Sequence, residues 1–342
     1  MIRLDNAGDV ILTGPTLRSL RVALPESELM MVASPNGANA AELLPWVDEV
    51  VTWRALWQDT TGELAFDPVR EIEAIDRLRG LGADAALILT SFSQTPFAAA
   101  YACYLAGIPI RIGHEELFGG GVLSHPVGGP APDHQAERNL HLLRAVGIEP
   151  AGGHLEARVP DRARERVAAR LREAAIADGE PIVVAPGASC SARRYDPARF
   201  GRAAAELRSR TARPVIVMGI ATERPLADAV LAAVPDAVDL VGATSLSESA
   251  AVIASAGVVL TNNSLALHLA DAFRRPVVVA YAGTERDAEW RPRVTRHALL
   301  REETSCSPCR LFECPFEGHP CLDIAPARLT TAALELLGEA AS

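Results

Sequence analysis

Short runs of consecutive apolar residues alternate along this chain with longer stretches in which apolar positions recur every three or four residues. The runs Met30–Val32, Val50–Val51, Ala85–Leu89 and Ile108–Ile112 in the first half read as strands. So do Ile182–Ala185, Val215–Met218, Val258–Leu260 and Val277–Ala280 in the second. They are too short for helices and apolar on both faces, the pattern of parallel strands covered from both sides. Met1–Leu4 reads as a short first strand, and an upstream start codon is one explanation for its length. Between the strands lie stretches rich in Ala, Leu, Arg and Glu, such as Asp161–Ala175 and Ser245–Ala256. The second opens on Ser245 with Glu248 three residues later, a capping box. The alternation predicts an α/β protein with parallel sheets. Residues 119–132 read as a long Gly/Pro-rich loop, and 147–160 as the linker between a domain at 1–155 and one at 161–342. No repeat or low-complexity tract interrupts the pattern.

Three strand-to-helix transitions carry candidate chemistry. GVVLTNNSLALHL at 257–269 and APGASCSARRYDPARF at 185–200 each pass from an apolar run through small and polar residues into an amphipathic helix. That arrangement aims helix N-terminal amides at an anion, and two in one half suggest a bound phosphate or pyrophosphate. RLDNAGDVILTGPTLRSLR at 3–21 puts Asp9 in the first such loop of the other half, where it reads either as a helix cap or as a base. A donor pocket in one half and a carboxylate in the other is the layout of a two-domain group-transfer enzyme.

Composition narrows the setting. The 342 residues suit two domains, and no apolar run reaches the roughly 18–20 residues of a membrane span. A secretory leader is not expected, so the expected compartment is the cytoplasm. A net charge of −10 argues against nucleic acid as a partner. All 33 basic residues are Arg, so a phosphate clamp here must be a guanidinium. No Asp-x-Asp pair occurs, so the usual divalent-metal clamp for a diphosphate is not apparent.

These stretches resemble the heptosyltransferase family, the lipopolysaccharide core glycosyltransferases. RLDNAGDVILTGPTLRSLR is similar to the family's R-x-D-x-x-G-D opening, and PGASCSARRYDPARF to its P-G-A-x-x-x-x-K-R-W segment. DLVGATSLSESAAVIASAGVVLTNNSLALHLADAFRRPVVVAYAGT at 239–284 resembles its D-L-x-G-x-T-S-L … D-S-G-x-x-H region. CSPCRLFECPFEGHPCLDIAP at 306–326 resembles the cysteine-containing tail of many members. The resemblance implies a GT-B architecture, two Rossmann-like domains facing a cleft. It also implies inverting, metal-independent transfer of heptose or a related sugar from a nucleotide donor, ADP-linked, to a glycan or glycolipid hydroxyl. Peripheral association with the inner face of the membrane goes with that activity.

Carried over by position, Asp9 is the base, and Ser189, Arg193, Glu223, Thr244, Asn263, Ser264, Leu265 and His268 form the donor site. Arg193 stands for the family's Lys on the pyrophosphate, and Glu223 for its acidic ribose contact. Asp5, in the same loop as Asp9, reads as a brace. Asn263 and Leu265 depart from the family's Asp and Gly; loss of the carboxylate and of the open backbone predicts poor use of ADP-heptose relative to another nucleotide sugar. The acceptor is read by loops around Ser91–Thr95 and Phe118–Pro132. A nucleotide-sugar epimerase on the same fold and a degenerate nucleotide-sugar-binding protein are the alternatives.

Cys306, Cys309, Cys314 and Cys321 follow a C-x2-C-x4-C-x6-C spacing with His319 inside it. Structural zinc, an iron–sulfur cluster, and plain thiols or disulfides all fit that spacing. Cys103 and Cys190 read as ordinary buried or loop cysteines. No cofactor is required by the chemistry beyond the donor itself.

Overall fold

The computed structural model describes residues 1–59, 62–92, 94–174, 176 and 180–338. The chain divides into two compact units, Met1–Gly153 and His154–Ser342. The first is built on β1 (Ile2–Arg3), β2 (Met30–Ala33), β3 (Glu49–Thr52), β4 (Ala85–Ile88), β5 (Ile110–His114) and β6 (His125–Val127). The second is built on β7 (Ile182–Ala185), β8 (Val215–Val217), β9 (Val238–Asp239), β10 (Val258–Asn262), β11 (Val277–Ala280) and β12 (His297–Leu300).

All pairings are parallel, in the order β3-β2-β1-β4-β5-β6 in one unit and β9-β8-β7-β10-β11-β12 in the other. Both are the doubly wound order 3-2-1-4-5-6. The order reverses between β1 and β4 in the first sheet and between β7 and β10 in the second, and a crevice forms beyond the strand ends at such a point.

The central strands of the second sheet explain why they are legible. Every residue of β7, β10 and β11 is buried, because helices cover both faces, so each is a continuous apolar run. Phe200, Leu207, Val230 and Leu329 pack on this sheet from its helices, and Ile324 from the loop before helix Pro326–Leu337. The strands the pattern does not predict, β6, β9 and β12, lie at or beside the edges. They carry His125, Asp239 and His297 where a central strand would be apolar. β6 falls inside the expected loop at 119–132, and β5 runs two residues later than the predicted Ile108–Ile112.

Helix Leu246–Ser255 starts as predicted. Ser245 Oγ accepts from Glu248 N (3.2 Å) and Glu248 Oε2 accepts from Ser245 N (2.8 Å). The predicted helix Asp161–Ala175 spans Asp161–Glu173, and Ala175 lies outside the described residues. Among the described residues, no helix is long and apolar enough to cross a membrane.

Candidate active site

In the first unit, the β1 and β4 ends meet in a buried ionic cluster. Arg3 is fully buried, and its Nη2 donates to Asp9 Oδ1 (3.0 Å) and Ser91 Oγ (2.6 Å) and pairs with Asp5 Oδ2 (2.8 Å). Ser91 Oγ lies between the carboxylates, 2.9 Å from Asp5 Oδ2 and 3.3 Å from Asp9 Oδ1. Burial pushes the Asp5 carboxyl above its ordinary range; Arg3 pulls it back down, Asp9 pushes it further up, and hydrogen bonds from Ser91 and Gln94 lower it. One guanidinium thus serves two carboxylates.

Asp9 does not occupy the N-cap. It is the third residue of helix Ala7–Ile11, and its Oδ2 accepts from the backbone N of Asn6, which caps the helix (3.1 Å). Farther back, helix Gln135–Ala145 pins the surrounding loops: Gln135 Nε2 donates to Thr90 O (3.0 Å) and Asn139 Nδ2 to Leu12 O (3.3 Å). Of the expected acceptor loop Ser91–Thr95, Ser93 lies outside the described residues.

In the second unit, the β7 and β10 ends carry most of the predicted donor residues. Arg193 Nη1 donates to Ser189 Oγ (3.2 Å), while its Nη2 pairs with Glu285. Asn263 Nδ2 donates to the other oxygen of that carboxylate, Glu285 Oε2, at 2.6 Å. Asn263 and Glu285 are both buried, at 6% and 7% exposure. A carboxylate, that of Glu285, therefore stands beside Asn263 although position 263 itself lacks one.

The second departure is also accommodated. Leu265 is the first residue of helix Leu265–Ala272 and has no left-handed φ, so the side chain adds no backbone strain there. The N-cap Ser264 makes no capping bond, and its Oγ lies 3.1 Å from Thr261 Oγ1. The other predicted anion-binding terminus does not form. Asp196 caps helix Pro197–Thr211 with its own carboxylate, accepting from Ala198 N (2.8 Å) and Arg199 N (3.2 Å).

Glu223 Oε2 accepts from Ile220 N (3.0 Å), and its carboxylate lies against Gly187, where any Cβ would sit 1.8 Å from Oε1. The glycine of the Pro-Gly-Ala motif leaves room for this carboxylate. Burial raises Glu223 above the usual carboxylate range, while the Ile220 amide and Arg194 lower it. Arg194 is committed to Ala188 O (3.1 and 3.2 Å), while Arg193 faces Ser189 and Glu285. His268 is buried with its ring 6.3 Å from that of Trp290. Thr244 Oγ1 lies 2.9 Å from Ser249 Oγ, so it braces the start of the neighbouring helix.

The cysteine tail holds these loops from outside. Cys309 N and Arg310 N donate to Gly283 O (3.1 Å) and Thr284 O (3.0 Å), just before Glu285. Ala192 N donates to Phe312 O (3.1 Å), just before Arg193. Arg310 also pairs with the fully buried Glu289. Gly283 permits the contact, since a Cβ there would lie 3.2 Å from Ser307 and 3.3 Å from Cys321. Burial pushes the Cys321 thiol up, the Gly283 backbone contact lowers it, and Cys314, Cys306 and Cys309 raise it further. All are free thiols. Among the described residues, no group of three or more His, Cys, Asp or Glu side chains is arranged to hold a metal ion.

The sequence model of glycosyltransferase family 9 (heptosyltransferase) matches residues 74–319. The chain belongs to glycosyltransferase family 9. This family 9 protein is similar in structure to E. coli ADP-heptose LPS heptosyltransferase II, with a TM-score of 0.75 and 21% identity over 98% of this chain and 97% of the other. A family 9 glycosyltransferase from Veillonella parvula gives 0.75 and 19% over 99% and 96%. E. coli heptosyltransferase WaaC, solved with ADP-2-deoxy-2-fluoro heptose, gives 0.68 and 15% over 98% and 98%. These likenesses establish the GT-B fold of this glycosyltransferase. No curated protein matches it in sequence.

The sequence pattern leaves three residues of the candidate site unmarked and marks a fourth, Ser91, only as the start of the expected acceptor loop. Arg3 reads as an ordinary charge beside a strand, and Glu285 as a loop residue. Asn262, whose Oδ1 accepts from Tyr195 N (3.0 Å) and whose Nδ2 donates to Pro186 O (2.7 Å), is hidden at the end of an apolar strand. Ser91 falls in a loop without a motif. The Arg-x-Asp spacing was the only local signal for Arg3, and for the rest the signal is contact across more than 20 residues.

Proposed function

We propose that this glycosyltransferase moves heptose or a related sugar from an ADP-linked donor to a hydroxyl of a cell-envelope glycan, with inversion and without a metal. The work is cytoplasmic, at the inner face of the membrane. The observation that carries this reading is Arg193, held by Ser189 and Glu285 at the β7–β10 reversal, with Glu223 across Gly187. A guanidinium there stabilises the charge that grows on the leaving diphosphate, the task a divalent ion performs where an Asp-x-Asp pair is present. The unblocked N-terminus of helix Leu265–Ala272 adds amide donors to the same anion. Glu223 suits the ribose hydroxyls, and the Glu285–Asn263 pair offers the sugar an acceptor and a donor.

In the first unit, Asp9 is the base. Its Oδ1 is oriented by Arg3 and Ser91, so the carboxylate is fixed before an acceptor hydroxyl arrives. The acceptor oxygen bonds to the anomeric carbon, its proton passes to Asp9, and the diphosphate leaves from the opposite face with the electrons of the broken bond. The cysteine tail acts as a brace in this reading, with no metal in it; stoichiometric zinc or iron in the purified protein would revise that point.

A thermal-shift series with nucleotides and nucleotide sugars tests the donor assignment. ADP at 100 times its dissociation constant adds about 2.7 kcal/mol of stability. A response to UDP or GDP derivatives and none to ADP or ADP-heptose overturns it. Asp9→Asn tests the base: turnover falls roughly 10²–10⁴-fold with donor affinity within a few-fold.

A further inference from the structure

The Asp9 environment contains more than a base requires. A second carboxylate, Asp5, shares its arginine, and a hydroxyl stands between the two. Ser91 Oγ is 3.3 Å from Asp9 Oδ1 and 2.9 Å from Asp5 Oδ2, while Arg3 Nη2 touches all three groups at 2.6–3.0 Å. Arg3 is fully buried, and the Asp5 and Asp9 side chains are 6% and 12% exposed.

The backbone fixes this arrangement independently of any substrate. Ser34 Oγ donates to Asp5 O (2.6 Å), and Ser91 N donates to Gln94 Oε1 (3.1 Å). Asp5 braces the loop as its place there suggested, and its carboxylate faces Ser91 as well.

We propose that Ser91 is a proton relay and Asp5 the terminal proton acceptor, so that Asp9, Ser91 and Asp5 act as one unit in glycosyl transfer. This rests on the transferase reading above. After Asp9 has taken the acceptor's proton, it passes that proton to Ser91 Oγ while the Ser91 proton moves to Asp5 Oδ2. Asp9 returns to carboxylate, and Asp5 later releases the proton to solvent. Burial raises the Asp5 carboxyl above its ordinary range, so it holds a proton readily once the relay delivers one. Arg3 holds one positive charge beside the pair throughout, so the proton moves without creating an uncompensated buried charge.

The test measures ADP release from ADP-heptose by the full chain across pH 4–9, with heptose-free lipopolysaccharide and with water as acceptors. Ser91→Ala and Asp5→Asn each lower turnover by about tenfold or more. Both also move the acid limb of the profile to lower pH, because a proton on Asp5 no longer blocks the relay. Ser91→Thr, which keeps the hydroxyl, restores both the plateau and the limb. Asp5→Asn removes a charge beside the base and shifts the limb in either case, so Ser91→Ala decides: a merely structural hydroxyl lowers the plateau and does not move the limb to lower pH. Thermal unfolding of each variant reports whether it has folded.

Asp9-dependent release with an acid limb not moved to lower pH in folded Ser91→Ala overturns the relay alone. No release by the unmodified chain, or release that survives Asp9→Asn, overturns the transferase reading and the relay with it.

Discussion

Asn263→Asp restores the residue usual in the family, and here it should damage the protein. Asn263 Nδ2 donates to Glu285 Oε2 at 2.6 Å, with both residues nearly closed to solvent. An aspartate would lose that donor, worth about 1.5–3 kcal/mol when the acceptor is charged. It would also set two carboxylates at roughly 3–4 Å, a repulsion of about 4–6 kcal/mol at an effective dielectric near 20. Arg193, on the other oxygen of Glu285, offsets part of this, and so does uptake of a proton by the pair. The net cost should be about 2–4 kcal/mol near neutral pH. For a domain of this size, that lowers the melting temperature of the donor unit by about 5–15 °C.

The pH dependence has a definite sign. In the variant, the folded-state pKa of a carboxyl at the pair rises above its unfolded value, so the penalty is full at high pH and fades as pH falls toward about 4. Calorimetry at pH 5 and pH 8 measures both the cost and its slope. Asn263→Asp, Glu285→Gln returns a donor facing an acceptor and should recover most of the loss. A single variant as stable as the parent at pH 8, or a double variant no better than the single, refutes the exchange of charge between positions 263 and 285.

Arg193→Ala should weaken nucleoside diphosphate binding by about 1.5–3 kcal/mol by calorimetric titration, and activity should survive EDTA; loss with chelator and recovery with Mg²⁺ contradicts the metal-free step. His114, its Nε2 2.9 Å from Arg138 O, is pulled down to about 4 mainly by burial, so the fold loses about 2–4 kcal/mol as pH falls from about 6.5 to 4. His114→Gln should flatten that acid limb of the stability curve, and an unchanged limb removes His114 as its source. Asp271 accepts from Arg293 N, Val294 N and Thr295 N at 2.9–3.0 Å; Asp271→Ala should cost about 3–5 kcal/mol in denaturant unfolding.

The sequence by itself determined the α/β class and the central strands, because β7, β10 and β11 are covered on both faces and must be apolar throughout. It also singled out the candidate loops, since Asp9, Ser189, Arg193 and Ser264 lie in the segments that follow strands β1, β7 and β10. Edge strands β9 and β12 escaped it, because an edge needs no apolar run, as did the capping of helix Pro197–Thr211 by Asp196, which closed one of two expected anion sites. Tertiary structure alone decided the partnerships. Asn263 in place of Asp reads as a lost charge until Glu285, 22 residues away, is seen to stand beside it. Asp5 reads as a brace, but that the group it meets is Ser91, 86 residues away and beside Asp9, is seen only in the fold. Local patterning reports which face of an element must be dry. Which polar groups share a hydrogen bond depends on how the chain brings β1 beside β4 and β10 beside β7, and only the folded sheet order supplies that.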